Sequence, residues 1–151
     1  MDDFDSAVFD EPIDPPSGWQ HDHVQRYLAS NGAEGHDWRG VPTLLLTTVG
    51  QRSGRGRRTP LIYGRHGDDY LVVASKGGAD TPPMWYTNLR ADPRVRIQVG
   101  ADVIDARARV ATPAEKPDLW RQMAGIWPDY DTYQTRTSRE IPVIILSPVN
   151  S

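Results

Sequence analysis

A loop rich in arginine and glycine is the most unusual stretch of the sequence. Four arginines and three glycines occupy the nine residues of Gly50–Arg58. Arginine forms paired, charge-assisted hydrogen bonds with phosphate or carboxylate groups, and glycine lets a backbone approach a ligand closely. The pattern therefore indicates an anion-binding hairpin loop, with an exposed, solvated turn as the alternative. It is neither a Walker A loop nor a dinucleotide fingerprint, because GK[ST] and a following helix are missing.

A second cluster, ASKGG, occupies Ala74–Gly78 at the end of an apolar stretch. A strand end with small residues can hold a planar ligand against backbone amides while the lysine reaches an anion. A plain Gly-Gly turn with a solvated lysine is the alternative. The segment that follows, Pro83–Leu89, adds two aromatic side chains and an asparagine, which favours a binding site.

A third cluster consists of Trp127, Tyr130 and Tyr133, three residues apart, so their rings lie along one side of a helix. Such a row is more often core than site. The polar residues between the rings, however, indicate a surface segment with accessible phenols, which could donate a hydrogen bond or a proton to a substrate.

Several other chemistries are excluded or poorly supported. The chain has no cysteine, so disulfides and thiol chemistry are excluded. Its four histidines lack metal-ligand spacing, and we predict no metal site. No G-x-S-x-G elbow for a serine hydrolase exists. No apolar run approaches the length of a membrane span, so we expect a cytoplasmic protein without stable membrane insertion.

The charge distribution divides the chain into two parts. The formal net charge is −3, but seven acids precede the first base, Arg26, so the rest of the chain carries 17 bases and 13 acids. We therefore predict a disordered acidic tail over residues 1–16 and a folded domain over residues 17–151. The small basic surplus, spread over alternating strand positions, argues against nucleic-acid binding.

The elements that must position these clusters are mainly strands. Six short strands and three or four helices without βαβ repeats predict an α+β, mainly β fold: a six-stranded antiparallel β-barrel, closed or nearly closed, with flanking helices. The strands are predicted at 43–49, 59–65, 70–75, 95–99, 103–110 and 143–146. Thr112 and Glu115 have the spacing of a helix capping box.

The three clusters, in this order, resemble the deazaflavin-dependent nitroreductase family, split-β-barrel oxidoreductases that use coenzyme F-420. The stretches that carry the resemblance span roughly residues 41–148; they are LLLTTVGQRSGRGRRTPLIY, YLVVASKGGAD, PPMWYTNLRADPRVRIQV and WPDYDTYQTRTSREIPVIIL. The resemblance implies hydride transfer from reduced coenzyme F-420 (an 8-hydroxy-5-deazaflavin) to a small-molecule acceptor: a quinone, an activated enone or a nitro compound.

The resemblance also implies roles for individual residues. The cofactor-binding residues it implies are Gln51, Arg52, Ser53, Gly54, Arg57, Thr59, Pro60, Ala74, Ser75, Lys76, Gly77, Gly78, Met84, Trp85 and Asn88. The substrate pocket it implies is formed by Ile62, Trp127, Tyr130 and Tyr133. Ser75, Tyr130 and Tyr133 are the catalytic candidates, and Tyr130 is the preferred proton donor.

Two alternatives remain open at this point. One is an FMN-dependent oxidoreductase on the same barrel, and the other is a non-catalytic protein that binds the cofactor or another planar anion. The sequence also leaves open whether the chain forms a homodimer.

Overall fold

The computed structural model describes residues 6–149 of the chain. Its strands form one sheet, and every pairing between them is antiparallel. They are β1 (Asp37–Trp38), β2 (Val41–Val49), β3 (Gly56–Ile62), β4 (Gly64–His66), β5 (Asp69–Val73), β6 (Arg94–Val99), β7 (Asp102–Val110) and β8 (Val143–Pro148). The order across the sheet is β1-β2-β6-β7-β8-β5-β4, with β3 also on β2, and the sheet curls into a half-barrel.

The predicted count of six strands is wrong, because the described chain has eight. All six predicted strands are present with shifted bounds, and β1 and β4 are additional. The stretch predicted as one strand over 59–65 divides at Tyr63: β3 pairs with β2, whereas β4 pairs with β5. The chain thus passes from one edge of the sheet to the other at this residue.

The hydrophobic core lies on both faces of β5 and β8. Val72 and Ile144 belong to the cluster inside the half-barrel, whereas their neighbours Leu71 and Ile145 pack in a second cluster beneath two helices. All four side chains are buried. The uninterrupted apolar sequence of these strands follows from this double burial, since a half-exposed strand would alternate.

Five α-helices surround the sheet in the described part of the chain: α1 (Ser6–Phe9), α2 (Gly18–Ala29), α3 (Met84–Ala91), α4 (Lys116–Ile126) and α5 (Asp129–Thr135). The predicted capping box forms just before α4: the backbone N–H of Thr112 donates to Glu115 Oε1 (2.9 Å), and the Glu115 N–H donates to Thr112 Oγ1 (3.2 Å). Hydrogen bonds from Arg109 and Thr112 lower the pKa of Glu115 to about 2. No helix in the described range is both long and apolar enough to span a membrane.

Residues 6–16, which belong to the tail predicted over residues 1–16, lie against the sheet and are called the N-terminal arm; residues 1–5 lie outside the described residues. Ile13 forms a parallel bridge with Arg57, and Asp14 makes a two-point ion pair with Arg58 (2.6 and 3.0 Å). A Cβ on Gly56 would lie 2.0 Å from the Val8 carbonyl oxygen, so glycine permits this close approach.

The acidic side chains that suggested disorder are therefore the ones that dock the arm. Asp10 pairs with Arg96, and Phe9 is buried beside the same guanidinium, whose carbon lies 5.5 Å from the ring centroid. Two arginines of the body, Arg58 and Arg96, thus pair with two acids of the arm across the fold, which the local charge pattern does not reveal.

Candidate active site

Two adjacent cavities bring the three sequence clusters together. The aromatic cavity, about 370 Å³, is lined by β3, the Ser75–Gly77 turn and α5, and the arginine groove, about 730 Å³, is lined by the Gly50–Arg58 loop and α3. Thr59 and Trp85 line both. The two cavities therefore meet, and one elongated ligand can occupy both.

The arginine groove takes its shape from a buried asparagine. Asn88 on α3 donates from Nδ2 to Thr48 Oγ1 (3.1 Å), and its Oδ1 accepts the backbone N–H of Gln51 (3.1 Å). The side chain thus ties the start of the loop to both the helix and the sheet. Asn88 lines the groove, but its amide is engaged within the protein, so its main role here is to position the loop.

The arginines of the loop differ in what they contact. Arg52 and Arg57 line the groove, are exposed, and form no ion pair with another residue of the described range. Arg58 also lines the groove but is paired with Asp14. Arg55 lies outside it. Two uncompensated guanidinium groups therefore face a cavity, which suits an anionic ligand.

The Ser75–Gly78 turn forms one wall of the aromatic cavity. Ser75 is buried, lines the cavity, and within the described chain its hydroxyl has no hydrogen-bond partner. Lys76 has φ 46°, a left-handed conformation that costs a non-glycine residue roughly 1–2 kcal/mol. The turn therefore contains backbone strain beside an available hydroxyl, a combination typical of a ligand site.

An arginine that the sequence analysis did not consider holds this turn in place. Arg139 Nε donates to the Ala79 carbonyl (2.8 Å), and Arg139 Nη2 donates to the Ser75 carbonyl (2.9 Å). Both terminal nitrogens also reach the Ala74 carbonyl at 3.3 Å. Arg139 does not line the cavity, so it is a positioning residue.

The aromatic residues of α5 form the opposite wall. Tyr130 and Tyr133 line the cavity with their ring centroids 6.1 Å apart, and Trp127 Nε1 donates to the Tyr133 hydroxyl at 3.4 Å. Tyr130 is buried, and loss of hydration raises its pKa above the usual 10. Its hydroxyl therefore stays protonated and is able to donate a hydrogen bond to a ligand, whereas complete release of its proton is unfavourable.

Most of the residues predicted for the site line one of the two cavities. Gln51, Arg52, Ser53, Arg57, Met84 and Asn88 line the groove, and Pro60, Ile62, Ser75, Lys76, Gly77, Trp127, Tyr130 and Tyr133 line the aromatic cavity, with Thr59 and Trp85 in both. Gly54, Ala74 and Gly78 line neither. Ala74 is fully buried, so its side chain belongs to the core.

The aromatic cavity also contains residues that the sequence analysis missed. They come from α2, β1 and the start of β2: Trp19, Gln20, His23, Trp38 and Thr43. Trp19 lies at the start of α2 and is 59% exposed. In residues 6–149, no cluster of three or more histidine or acidic side chains suits a metal ion.

Comparison with known proteins identifies the family. The model of the F420H(2)-dependent quinone reductase family matches residues 19–148. This chain belongs to that family. It is an oxidoreductase, and its cofactor is coenzyme F-420. An F420H(2)-dependent quinone reductase of Mycobacterium tuberculosis (strain ATCC 25618 / H37Rv) is 43% identical over 132 residues, which are 84% of this chain and 87% of the relative.

Solved structures agree with this assignment. A structure described as an F420-H2 dependent reductase has a TM-score of 0.66 and 40% identity, and it covers 70% of this chain and 94% of its own. Another, described as a domain-swapped dimer, has a TM-score of 0.69 and 36% identity and covers 83% and 95%.

The residues of the site fit the cofactor of this quinone reductase family. A deazaflavin has a flat, largely apolar ring and an anionic arm. The chain provides an aromatic cavity that contains the Ser75 hydroxyl, and an adjacent groove with the guanidinium groups of Arg52 and Arg57, which form no ion pair within residues 6–149. The chemistry of the two cavities therefore matches that of the two parts of the ligand.

Proposed function

We propose that this protein catalyses the reduction of quinones by reduced coenzyme F-420, and that activated enones and nitro compounds are further acceptors. The observation that carries the proposal is the junction of the two cavities at Thr59 and Trp85. In this arrangement the arginine groove would hold the polyanionic arm of the cofactor, and the aromatic cavity would hold the cofactor ring with the acceptor stacked on it.

The arginine groove would bind the cofactor arm. Arg52 and Arg57 would neutralise its phosphate and carboxylates, with Ser53 as an additional donor, because all three line the groove. Charge-assisted hydrogen bonds of this kind contribute about 1.5–3 kcal/mol each when they are shielded from water. The groove therefore supplies affinity and fixes the direction in which the cofactor enters.

Residues at the junction of the two cavities and on the Ser75–Gly78 turn would orient the cofactor ring. Thr59, Pro60 and Trp85 would flank the ring, and Ser75 and Lys76 would bind its oxygen atoms. When bound, the reduced cofactor supplies the hydride. The protein contributes by holding acceptor and ring face to face and by excluding water from the aromatic cavity.

The hydroxyls of Tyr130 and Tyr133 on α5 would stabilise the reduced acceptor. An acceptor carbonyl gains negative charge as it is reduced, and neutral Tyr130 and Tyr133 hydroxyls can donate hydrogen bonds to it. The raised pKa of Tyr130 favours hydrogen-bond donation over full proton transfer, so we assign Tyr130 the stabilising role. The proton that completes the reduction can then come from water at the cavity mouth.

Anaerobic oxidation of reduced coenzyme F-420 in the presence of menadione and catalytic amounts of protein tests the proposal. We expect the protein to accelerate oxidation of the cofactor. Tight cofactor binding without acceleration by any acceptor in a panel of quinones, enones and nitro compounds would instead support the non-catalytic alternative. Titration with FMN addresses the remaining alternative: binding of FMN but not of the deazaflavin would contradict our assignment.

Assembly and location complete the proposal. We propose a cytoplasmic protein in which residues 17–151 form the cofactor-binding domain. We also propose that the chain forms a homodimer, because the similar structure described as a domain-swapped dimer covers 83% of the chain. Sedimentation of the purified protein at micromolar concentration distinguishes a dimer from a monomer.

A further inference from the structure

Three tryptophans from three separate elements form a continuous row on one side of the aromatic cavity. Trp127 precedes α5, Trp38 lies in β1, and Trp19 lies at the start of α2. The ring centroids of Trp127 and Trp38 are 5.3 Å apart, and Trp38 stacks on Trp19 at 5.8 Å with an angle of 19° between the planes. All three line the aromatic cavity, and none lines the arginine groove. We call these three residues the tryptophan row.

Trp38 is presented by a rigid hairpin. It pairs with Val41 across a two-residue loop, Arg39-Gly40, in which both residues have positive φ (52° and 83°), as a type I′ turn requires. Asp37 Oδ1 accepts the Gly40 N–H at 2.8 Å, and the Arg39 guanidinium carbon lies 4.9 Å from the Trp38 ring centroid. The Asp37–Gly40 hydrogen bond across the turn and the contact with Arg39 thus fix the position of the Trp38 ring.

Trp19 forms the outer end of the row. It is 59% exposed and stacks one face on Trp38, with the edge of His23 nearby. Full burial of a tryptophan side chain would stabilise the folded protein much more than the two ring contacts of Trp19 do. The stability of the fold therefore does not explain why this side chain is exposed. A flat apolar molecule bound in the cavity would cover the exposed part of this ring.

The inner end of the row lies beside the proposed reaction site. Trp127 Nε1 donates to the Tyr133 hydroxyl, which the proposed function assigns to the acceptor oxygen. The row therefore extends from that hydroxyl toward solvent. An acceptor held at Tyr133 extends along the indole rings only if it is longer than a single ring.

We propose that Trp38 and Trp19 determine acceptor specificity as an apolar wall, against which the part of the acceptor beyond the ring being reduced packs. The acceptors favoured by this wall are planar quinones with at least two fused rings. This inference rests on the proposed reductase function, and it concerns the choice of acceptor rather than the cofactor.

The test compares two acceptors: 2-methyl-1,4-naphthoquinone, with two fused rings, and 2-methyl-1,4-benzoquinone, with one. The kcat/KM for each acceptor is measured with reduced coenzyme F-420 for the unsubstituted protein and for the variants Trp19→Ala, Trp38→Ala and Trp38→Phe. We expect each alanine variant to lose about twofold to tenfold in kcat/KM for the naphthoquinone, mainly through KM, given the free energy of an aromatic pair. The benzoquinone value should change less than twofold, and Trp38→Phe should recover most of the naphthoquinone value.

Two controls keep the test decisive. Val103→Ala truncates a residue that is also 59% exposed but outside the aromatic cavity, and it should change neither value. Cofactor affinity of the Trp19 and Trp38 variants should match that of the natural protein. Equal losses for both acceptors, or no loss for either, would overturn the inference. If the unsubstituted protein reduces neither quinone, the proposed function itself fails, so the two failures are distinguishable.

Discussion

Arg52 and Arg57 should account for most of the affinity for the cofactor arm. Both line the groove and form no ion pair with another described residue, so a bound anion is their natural partner. A charge-assisted hydrogen bond contributes about 1.5–3 kcal/mol, but solvent screening reduces the value for exposed groups. We therefore expect each alanine substitution to cost about 1–2 kcal/mol.

The double variant Arg52→Ala/Arg57→Ala should then lose about 2–4 kcal/mol, which corresponds to a Kd roughly 30-fold to 1000-fold higher. Quenching of protein tryptophan fluorescence by oxidised coenzyme F-420 measures this Kd, and Trp85, which lines both cavities, is a suitable reporter. Raising the ionic strength should weaken binding to the natural protein more than to the double variant, because the variant has fewer charge contacts to screen.

Arg55→Ala is the matched control. It removes the same charge from the same loop, but Arg55 does not line the groove. We expect a change in Kd of less than about twofold, since only long-range attraction is lost. If Arg55→Ala weakens binding as much as the other substitutions do, the loop acts only through its net charge. If the double variant binds normally, the loop is a solvated turn and the reasoning is refuted.

Three further predictions concern catalysis and stability. Tyr130→Phe should lower turnover while cofactor affinity stays nearly unchanged. Because the pKa of Tyr130 is raised above 10, the hydroxyl stays protonated, and its contribution to the turnover rate should not decline up to pH 10. Asp14→Asn should lower the free energy of unfolding in urea by about 1–3 kcal/mol, because it breaks the two-point pair with Arg58; Asp10→Asn, at a more exposed aspartate, is the control and should lower it less. Glu115→Gln should lower Tm at neutral pH, and the difference should disappear as pH falls from about 4.5 through 2, because the folded-state pKa of Glu115 is depressed.

Each of these three predictions has an outcome that would contradict it. An unchanged rate for Tyr130→Phe would remove the proposed role of its hydroxyl. Equal stability of the Asp14 and Asp10 variants would mean that the Arg58 pair contributes no more than an exposed contact. A Tm difference for Glu115→Gln that persists at pH 2 would show that the stabilisation does not depend on the carboxylate.

Local motifs were readable from the sequence because each is complete within a few consecutive residues. The strands β5 and β8 were predicted at 70–75 and 143–146, and the spacing of Thr112 and Glu115 predicted a capping box that the structure confirms. Among functional residues, most of those singled out in the loop, the turn and α5 line the two cavities.

What the sequence did not reveal has a different origin. The acidity of residues 6–16 gave no sign that Asp14 pairs with an arginine 44 positions away. The stretch over 59–65 was predicted as one strand, yet the chain leaves β3 for β4 at Tyr63 because each strand pairs with a different edge of the sheet. Neither partner lies within the local sequence, so composition and periodicity carry no information about them.

The sequence by itself determined the chemistry of this protein: guanidinium groups in a glycine-rich loop, a hydroxyl and a lysine after a buried strand, and phenols along a short helix. These depend on residue type and spacing, which the chain specifies directly. Only the tertiary structure decided which of those groups share a cavity, that Asn88 and Arg139 position them, and that Trp19 and Trp38 join Trp127 along one wall. Such contacts depend on how distant segments dock, and docking follows from burial over the whole fold.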